Sequence, residues 1–298
     1  MKKMLITGAT GNIGKEVVLS LLASEETEVR VIAAVRNVEK AAGQFPDDKR
    51  LGFTPFDFEN EQTFDTAFHG IDMLFLLRPP HLADVKKYFH PLLQSARTNG
   101  VGQVVFLSVQ GADKSSVIPH NKIERLIRSM PFRYIFVRPS YFMQNLTTTL
   151  RAEIVNQQSI TLPAARAVFN WVDAQNVGEA AARLMLNFTE QENKAFDITG
   201  PENKHFGEVA EMIAAVTGKP VIYRSVNPIR FFFRKKREGV PGNFALVMTL
   251  LHFLPRVQDE PEISANYRKL TGKKPTSVKE FIAREKALFI QEGRQAGT

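Results

Sequence analysis

The 298-residue sequence contains no cysteine. Disulfides, thiolate nucleophiles, cysteine-ligated zinc and iron–sulfur clusters are therefore excluded for this chain. Its six histidines (His69, His81, His90, His120, His205 and His252) form no His-x-x-x-His pair, so no helical zinc site is supported and no metal is expected. Long apolar runs are also missing. The longest, residues 244–254, includes Thr249 and His252 and falls well short of the roughly 20 residues that cross a bilayer. Met1-Lys2-Lys3 is basic, but only Met4-Leu5-Ile6 follows before Thr7-Gly8, which does not make a signal peptide. These absences lead to the expectation of a soluble, cytoplasmic protein with no membrane span.

What is present is ordinary for a globular chain: 44% apolar and 23% charged residues. The net charge of +8 is uneven. Residues 220–298 hold 15 Lys/Arg against 7 Asp/Glu, whereas residues 1–219 balance at 24 against 24. A basic C-terminal region can attract phosphates or acidic surfaces, or it can simply be a solvated lobe. No nucleic-acid partner is expected.

The first half alternates strand and helix signals. β-branched and apolar runs at 3–7, 28–35, 51–56, 71–77, 102–108 and 133–137 are separated by helical spacing at 13–23, 61–68, 83–98 and 119–130. That alternation predicts right-handed crossovers and a parallel sheet with helices on both faces. After Pro139 the pattern predicts a helix over 142–155, a strand over 167–172, and a helix over 173–187 with Asp173 as N-cap. A strand at 195–199, a helix over 206–217 closed by Gly218, and a strand at 221–225 follow. The expected fold is α/β, a Rossmann-type doubly wound parallel sheet with a small C-terminal α/β substrate lobe. Residues 1–140 form the dinucleotide-binding core. Residues 141–298 are mostly lobe, with segments returning to the core and no linker.

The first strand runs into Thr7-Gly8-Ala9-Thr10-Gly11-Asn12-Ile13-Gly14 and then a helix. Gly8 permits the tight turn, Gly11 lets backbone approach a pyrophosphate, and Gly14 lets helix and strand pack closely. Thr10, Asn12 and Ile13 open the helix whose N-terminus faces the anion. Lys15 is followed by Glu16, so a kinase-type phosphate loop fails. Strand two ends at Val35, and no acid follows until Glu39. Arg36 stands where an acid would hold the ribose hydroxyls of NAD(H). It can pair with a 2′-phosphate instead, which favours NADP(H), or lie free on the surface. Asp57, beside Phe58, can accept from the adenine amine or cap the next helix. Leu76, in the fourth strand, completes the expected cofactor contacts.

Together these residues resemble the NmrA-like group of atypical short-chain dehydrogenases/reductases. The resemblance rests on the glycine loop, Val35-Arg36-Asn37, Val105-Phe106-Leu107-Ser108, His120 with Glu124, and 137–145 (Val-Arg-Pro-Ser-Tyr-Phe-Met-Gln-Asn). Asp173 with Val177, 197–202 and 270–277 extend it over about residues 4–285. The group includes NAD(P)H:quinone oxidoreductases and redox-sensing regulators. The resemblance therefore implies either an NADPH-dependent reductase of a quinone or similar conjugated acceptor, or a non-catalytic NADP(H)-sensing regulator that binds a partner protein.

Most short-chain dehydrogenases and sugar-nucleotide epimerases carry Tyr-x-x-x-Lys, in which lysine lowers the tyrosine pKa. The residues four after Tyr88, Tyr134, Tyr141, Tyr223 and Tyr267 are Leu92, Arg138, Asn145, Asn227 and Thr271. No dyad exists, which disfavours an epimerase. A quinone needs less proton assistance than a ketone, because its ring stabilises the reduced anion. Candidates near the acceptor, at strand carboxyl ends, are Ser108, His120 and Tyr141 as catalytic groups and Tyr141, Phe142 and Asn145 as substrate contacts. Each also has a local reading: a strand end, a helix cap, loop packing. In 229–237 aromatics beside arginines could stack bases or enter a lipid interface, but Ile229, Phe232 and Phe233 share one helical stripe and Arg230, Arg234 and Arg237 another, which an amphipathic helix docked on the lobe already explains.

Overall fold

The computed structural model describes residues 1–116 and 118–290. It divides into two compact units. The last eight residues of the expected lobe, 291–298, lie outside the described residues.

The first unit comprises Met1–Pro139, Ala174–Ile198 and Ala265–Lys273. Its sheet has seven strands: β1 (Lys2–Ile6), β2 (Val29–Val35), β3 (Leu51–Pro55), β4 (Met73–Leu77), β5 (Gln103–Leu107), β6 (Arg133–Pro139) and β7 (Lys194–Ile198). Their order is β7-β6-β5-β4-β1-β2-β3, and every neighbouring pair is parallel. This is the doubly wound Rossmann arrangement that the alternation predicts. The central strands read as continuous apolar runs because both their faces are covered. On one face Leu74, Leu76, Val104 and Phe106 pack with Phe89, Leu92 and Ile123. Phe89 and Leu92 come from α2 (Val85–Thr98) and Ile123 from α3 (Pro119–Ser129), both following α1 (Asn12–Leu22) in the chain.

Helix α4 (Ala174–Leu186) lies directly against α1. Gly178 makes that approach possible: a Cβ there would stand 2.4 Å from Glu16 Cβ and 2.7 Å from Glu16 C. The last segment of the unit is tied down by polar contacts. Tyr267 donates to Glu179 Oε2 at 2.7 Å, Lys273 Nζ reaches Glu179 Oε1 at 2.7 Å, and the Asn266 amide donates to Asp197 O at 3.1 Å.

The second unit holds Ser140–Asp173, Thr199–Ser264 and the described residues from 274 onward. Strand Val168–Val172 pairs parallel with Tyr141–Phe142 and antiparallel with Asn203–His205. Ser159–Leu162 pairs parallel with Ile222–Ser225. Trp171, Phe169, Phe206 and Phe281 fill its core. Helices α5 (Pro228–Arg237) and α6 (Gly242–Phe253) pack together as a hairpin.

Two expectations for this unit are corrected. The continuous helix over 142–155 is absent: Tyr141–Phe142 is a strand, Met143–Leu146 a 3₁₀ turn, and only Arg151–Gln157 is α-helical. The three threonines at 147–149 explain the break. Thr147 and Thr148 donate their hydroxyls back to Gln144 O, at 3.2 and 2.8 Å, and so compete with helix propagation. In α5 the inward stripe is Phe231, Arg234 and Lys235, whereas Ile229 and Phe233 are exposed. Arg234 reaches inward to donate to Thr161 O at 2.9 Å, and Lys235 pairs with Glu238 at 2.7 Å. Long cationic stems can cover apolar surface while their heads find partners, which a hydropathy stripe does not register.

Candidate functional site

The glycine loop is set by its neighbours in the first unit. Thr7 Oγ1 donates to Phe75 O at 2.9 Å and accepts from Leu77 N at 3.1 Å, which pins the loop to β4. Gly8 has φ +60°, the left-handed region, and a Cβ there would run into the Leu77 side chain. Gly11 is the N-cap of α1 and supplies no side-chain acceptor, and α1 has no acidic residue in its first turn. The first-turn N–H groups and the positive end of the helix are thus left for an external anion. Thr10, Gly11 and Asn12 are exposed at this opening, whereas Ile13 and Gly14 are buried behind it. At Gly11 a Cβ would meet only Gly8 O, at 3.2 Å, so the space in front of the loop is open. These features fit the pyrophosphate of a dinucleotide.

Arg36 is exposed just beyond β2. Asp57 accepts from Glu59 N at 3.0 Å, and the following 3₁₀ turn is capped by Asn60, not Asp57. Phe58 sits edge-on to Phe56 with centroids 4.9 Å apart. Leu76 is wholly buried in the core, and the β4 residue that touches the loop is Leu77.

Ser108 follows β5 and is buried. Its hydroxyl donates to Glu124 Oε1 at 2.6 Å. Glu124, fully buried on α3, is gripped by Arg138 through Nε at 2.9 Å and Nη2 at 2.7 Å. Arg138 Nη1 also meets Asp113 at 2.9 Å. His120, in the first turn of α3, accepts from Arg78 Nε at 3.4 Å. Burial, and after it the Arg78 guanidinium, lower the His120 pKa to about 3. His120 is therefore a neutral imidazole at physiological pH.

Tyr141, Phe142 and Asn145 belong to the second unit. The Tyr141 hydroxyl lies 3.0 Å from His252 Nε2, and His252 Nδ1 lies 2.7 Å from Met248 O. A carbonyl only accepts, so Nδ1 carries the proton and Nε2 accepts from Tyr141. Asn145 also hydrogen-bonds the Tyr141 oxygen. Burial raises the Tyr141 pKa above its ordinary value, against the pull of Asn145. Burial lowers that of His252 to about 4, against the bond to Met248. Tyr141 is thus a neutral phenol with its proton directed at His252.

Sequence reasoning missed Arg78, His252 and the Glu124–Arg138 pair as parts of these sites. One signal was available. Arg138 interrupts the apolar run of β6, and a charge in a buried strand demands a buried counter-charge. His252 carried no such signal, since it is 111 residues from Tyr141.

The two neutral histidines imply an acid-sensitive fold. An unfolded histidine binds a proton below about pH 6.5, but the folded ones do so only near pH 3 and pH 4. Between those limits the unfolded state holds more protons, so stability is full above pH 6.5 and falls as pH drops. Urea unfolding from pH 7.5 to 4.5 should show a loss on the order of 5 kcal/mol, roughly half from each histidine, and the His120→Gln/His252→Gln variant a flatter profile. An unchanged slope in that variant would remove these groups as the cause.

Among the described residues no cluster of His, Asp and Glu could hold a metal, and no helix is long and apolar enough to cross a membrane. Comparison with known proteins places the architecture. The chain is 26% identical over 290 residues to an NAD(P)H azoreductase of Xenophilus azovorans, covering 96% of this chain and 99% of that one. It superposes on the Citrobacter sp. triphenylmethane reductase complexed with NADP(H) with TM-score 0.77 and 25% identity, covering 95% and 99% of the two chains. The NADPH complex of an Escherichia coli quinone oxidoreductase shares the fold at TM-score 0.78 and 21% identity, with 94% and 99% covered. The model of the NmrA-like family matches residues 1–282, and with the Rossmann sheet and its open glycine loop this shows that the chain belongs to the NmrA-like family.

Proposed function

We propose that this protein is an NADPH-dependent reductase of a quinone or similar conjugated acceptor. The observation that carries the reading is the uncapped start of α1 behind an open glycine loop. The azoreductase and quinone oxidoreductase relatives support it. Bound nicotinamide would supply the hydride. The chain's own residues then bind and orient. First-turn N–H groups of α1 hold the pyrophosphate, Arg36 pairs with the 2′-phosphate, and Asp57 and Phe58 flank the adenosine side. Ser108, fixed by Glu124, and neutral His120, fixed by Arg78, present a rigid polar wall to the nicotinamide. Tyr141, Phe142 and Asn145 contact the acceptor. No group among them is poised as a strong acid, which suits an acceptor whose reduced form is stabilised by its own ring. Catalysis is then chiefly orientation.

NADPH oxidation with a simple benzoquinone tests this directly. Turnover is expected, with NADPH bound more tightly than NADH. Arg36→Ala should weaken NADPH alone, by about 1.5–3 kcal/mol, through loss of a charge-assisted contact. Equal affinities for the two cofactors in the native protein would refute the role of Arg36. Tight NADPH binding without turnover on any quinone would favour the alternative, a cofactor-sensing regulator of a partner protein. The tightly engaged hydroxyls of Ser108 and Tyr141 suit that role equally.

A further inference from the structure

The α5–α6 hairpin has a surface that neither its fold nor the reductase reading uses. Helix α6 buries Ala245, Met248, Thr249 and His252, one side of the helix at i, i+3, i+4 and i+7 spacing. Its other side should then be polar. Instead it exposes Leu246, Val247, Leu250 and Leu251, and Leu254 continues the row just beyond the helix. On α5, Ile229 and Phe233 are 66% and 51% exposed. A helix apolar all round belongs in a core or against a hydrophobic phase, and a contiguous exposed patch of this kind marks an interaction surface.

The charge around the patch identifies the phase. Residues 224–257 contain seven Lys/Arg and a single acid, Glu238, and the exposed acids Asp259, Glu260 and Glu262 come only after the hairpin. Glu238 is engaged by Lys235 at 2.7 Å and Arg234 at 3.5 Å. Arg224, Arg230, Lys236, Arg237 and Arg256 are exposed. Aliphatic side chains bordered by cations match a lipid interface, where leucines enter the acyl boundary and arginines meet anionic headgroups. A second copy fits less well, because a two-fold contact would set the same cations against one another. The twelve residues of α6 are too few to span a bilayer, so the hairpin would lie in the plane of the surface.

We infer that the α5–α6 hairpin is a docking face for anionic membranes. It holds the protein at the lipid surface through the outer leucines of α6 and the arginines of α5. The inference is independent of the cofactor and of the reaction.

Flotation of the full-length protein with phosphatidylcholine vesicles, and with vesicles containing about one third phosphatidylglycerol, tests it. Binding to the anionic vesicles is expected, at least tenfold tighter than to the neutral ones and weakened by salt. Leu250→Asp/Leu251→Asp should lose at least tenfold through the apolar contact, and Arg230→Glu/Arg237→Glu at least tenfold through the charge. All four positions are exposed, so both variants should melt with the native protein. Sedimentation velocity without vesicles completes the set. Absence of native binding to anionic vesicles overturns the inference. So does equal binding of native protein and the arginine variant. A dimer dispersed by Leu250→Asp/Leu251→Asp, without vesicle binding, would give the face to a second copy instead.

Discussion

Gly14→Ala is expected to abolish NADPH binding, lowering affinity at least a hundredfold. The added Cβ would stand 2.3 Å from Gly8 O, 2.6 Å from Gly8 C and 3.0 Å from Ala9 Cα. All three obstacles are backbone, so no rotamer change relieves them, and loop and helix must move apart. Overpacking of this kind also costs about 1–3 kcal/mol of stability. The loop that positions its N–H groups around an anion then no longer exists in that geometry. Gly11→Val separates binding from folding. There the nearest atom is a single carbonyl at 3.2 Å, so the fold should survive, while the side chain fills the approach to the helix start. Calorimetric titration with NADPH beside a thermal melt distinguishes the two variants. Native-like affinity in Gly11→Val would mean the loop only turns the chain.

The second large effect is expected at Glu124. Glu124→Ala leaves the Arg138 guanidinium buried with only Asp113, which is largely exposed, as a charged partner. Breaking a buried pair in this way costs about 3–5 kcal/mol, because the remaining charge keeps its desolvation penalty. The Ser108 hydroxyl loses its acceptor at the same time. Glu124→Leu/Arg138→Met should recover most of the loss, since removing both charges removes the penalty. Urea unfolding of the single and double variants is the measurement. A single variant within about 1 kcal/mol of the native protein would show that water or Asp113 satisfies Arg138 unaided.

The first unit was largely legible because its information is local. β4 and β5 are uninterrupted apolar runs, and the glycine loop sits where the first strand meets the first helix. The same locality allowed Gly218 to be read as a helix C-cap, and its φ of +73° agrees. The second unit was less legible because its contacts are distant or polar. Strands Ser159–Leu162 and Asn203–His205 are four and three residues long, too short for a period to show. The break after Leu146 depends on threonine hydroxyls, and the pairing of Tyr141 with His252 on tertiary contact. The site divides in the same way. The glycine loop follows from spacing, whereas the charge states of His120 and Tyr141 follow from burial, which no spacing encodes.

The composition of the first unit from three stretches of chain has a consequence for how the protein is made. Synthesis delivers β1 to β6 first, but β6 acquires its outer neighbour only with β7, and α1 its cover only with α4. Until residue 198 emerges, the β6 edge offers unpaired backbone groups to any passing strand. At about 5–20 residues per second, the interval from residue 139 to residue 198 lasts on the order of 3–12 s. The nascent chain then carries the glycine loop on an unfinished sheet. A product terminated in this interval should aggregate, and the full chain should depend on ribosome-associated chaperones at that stage.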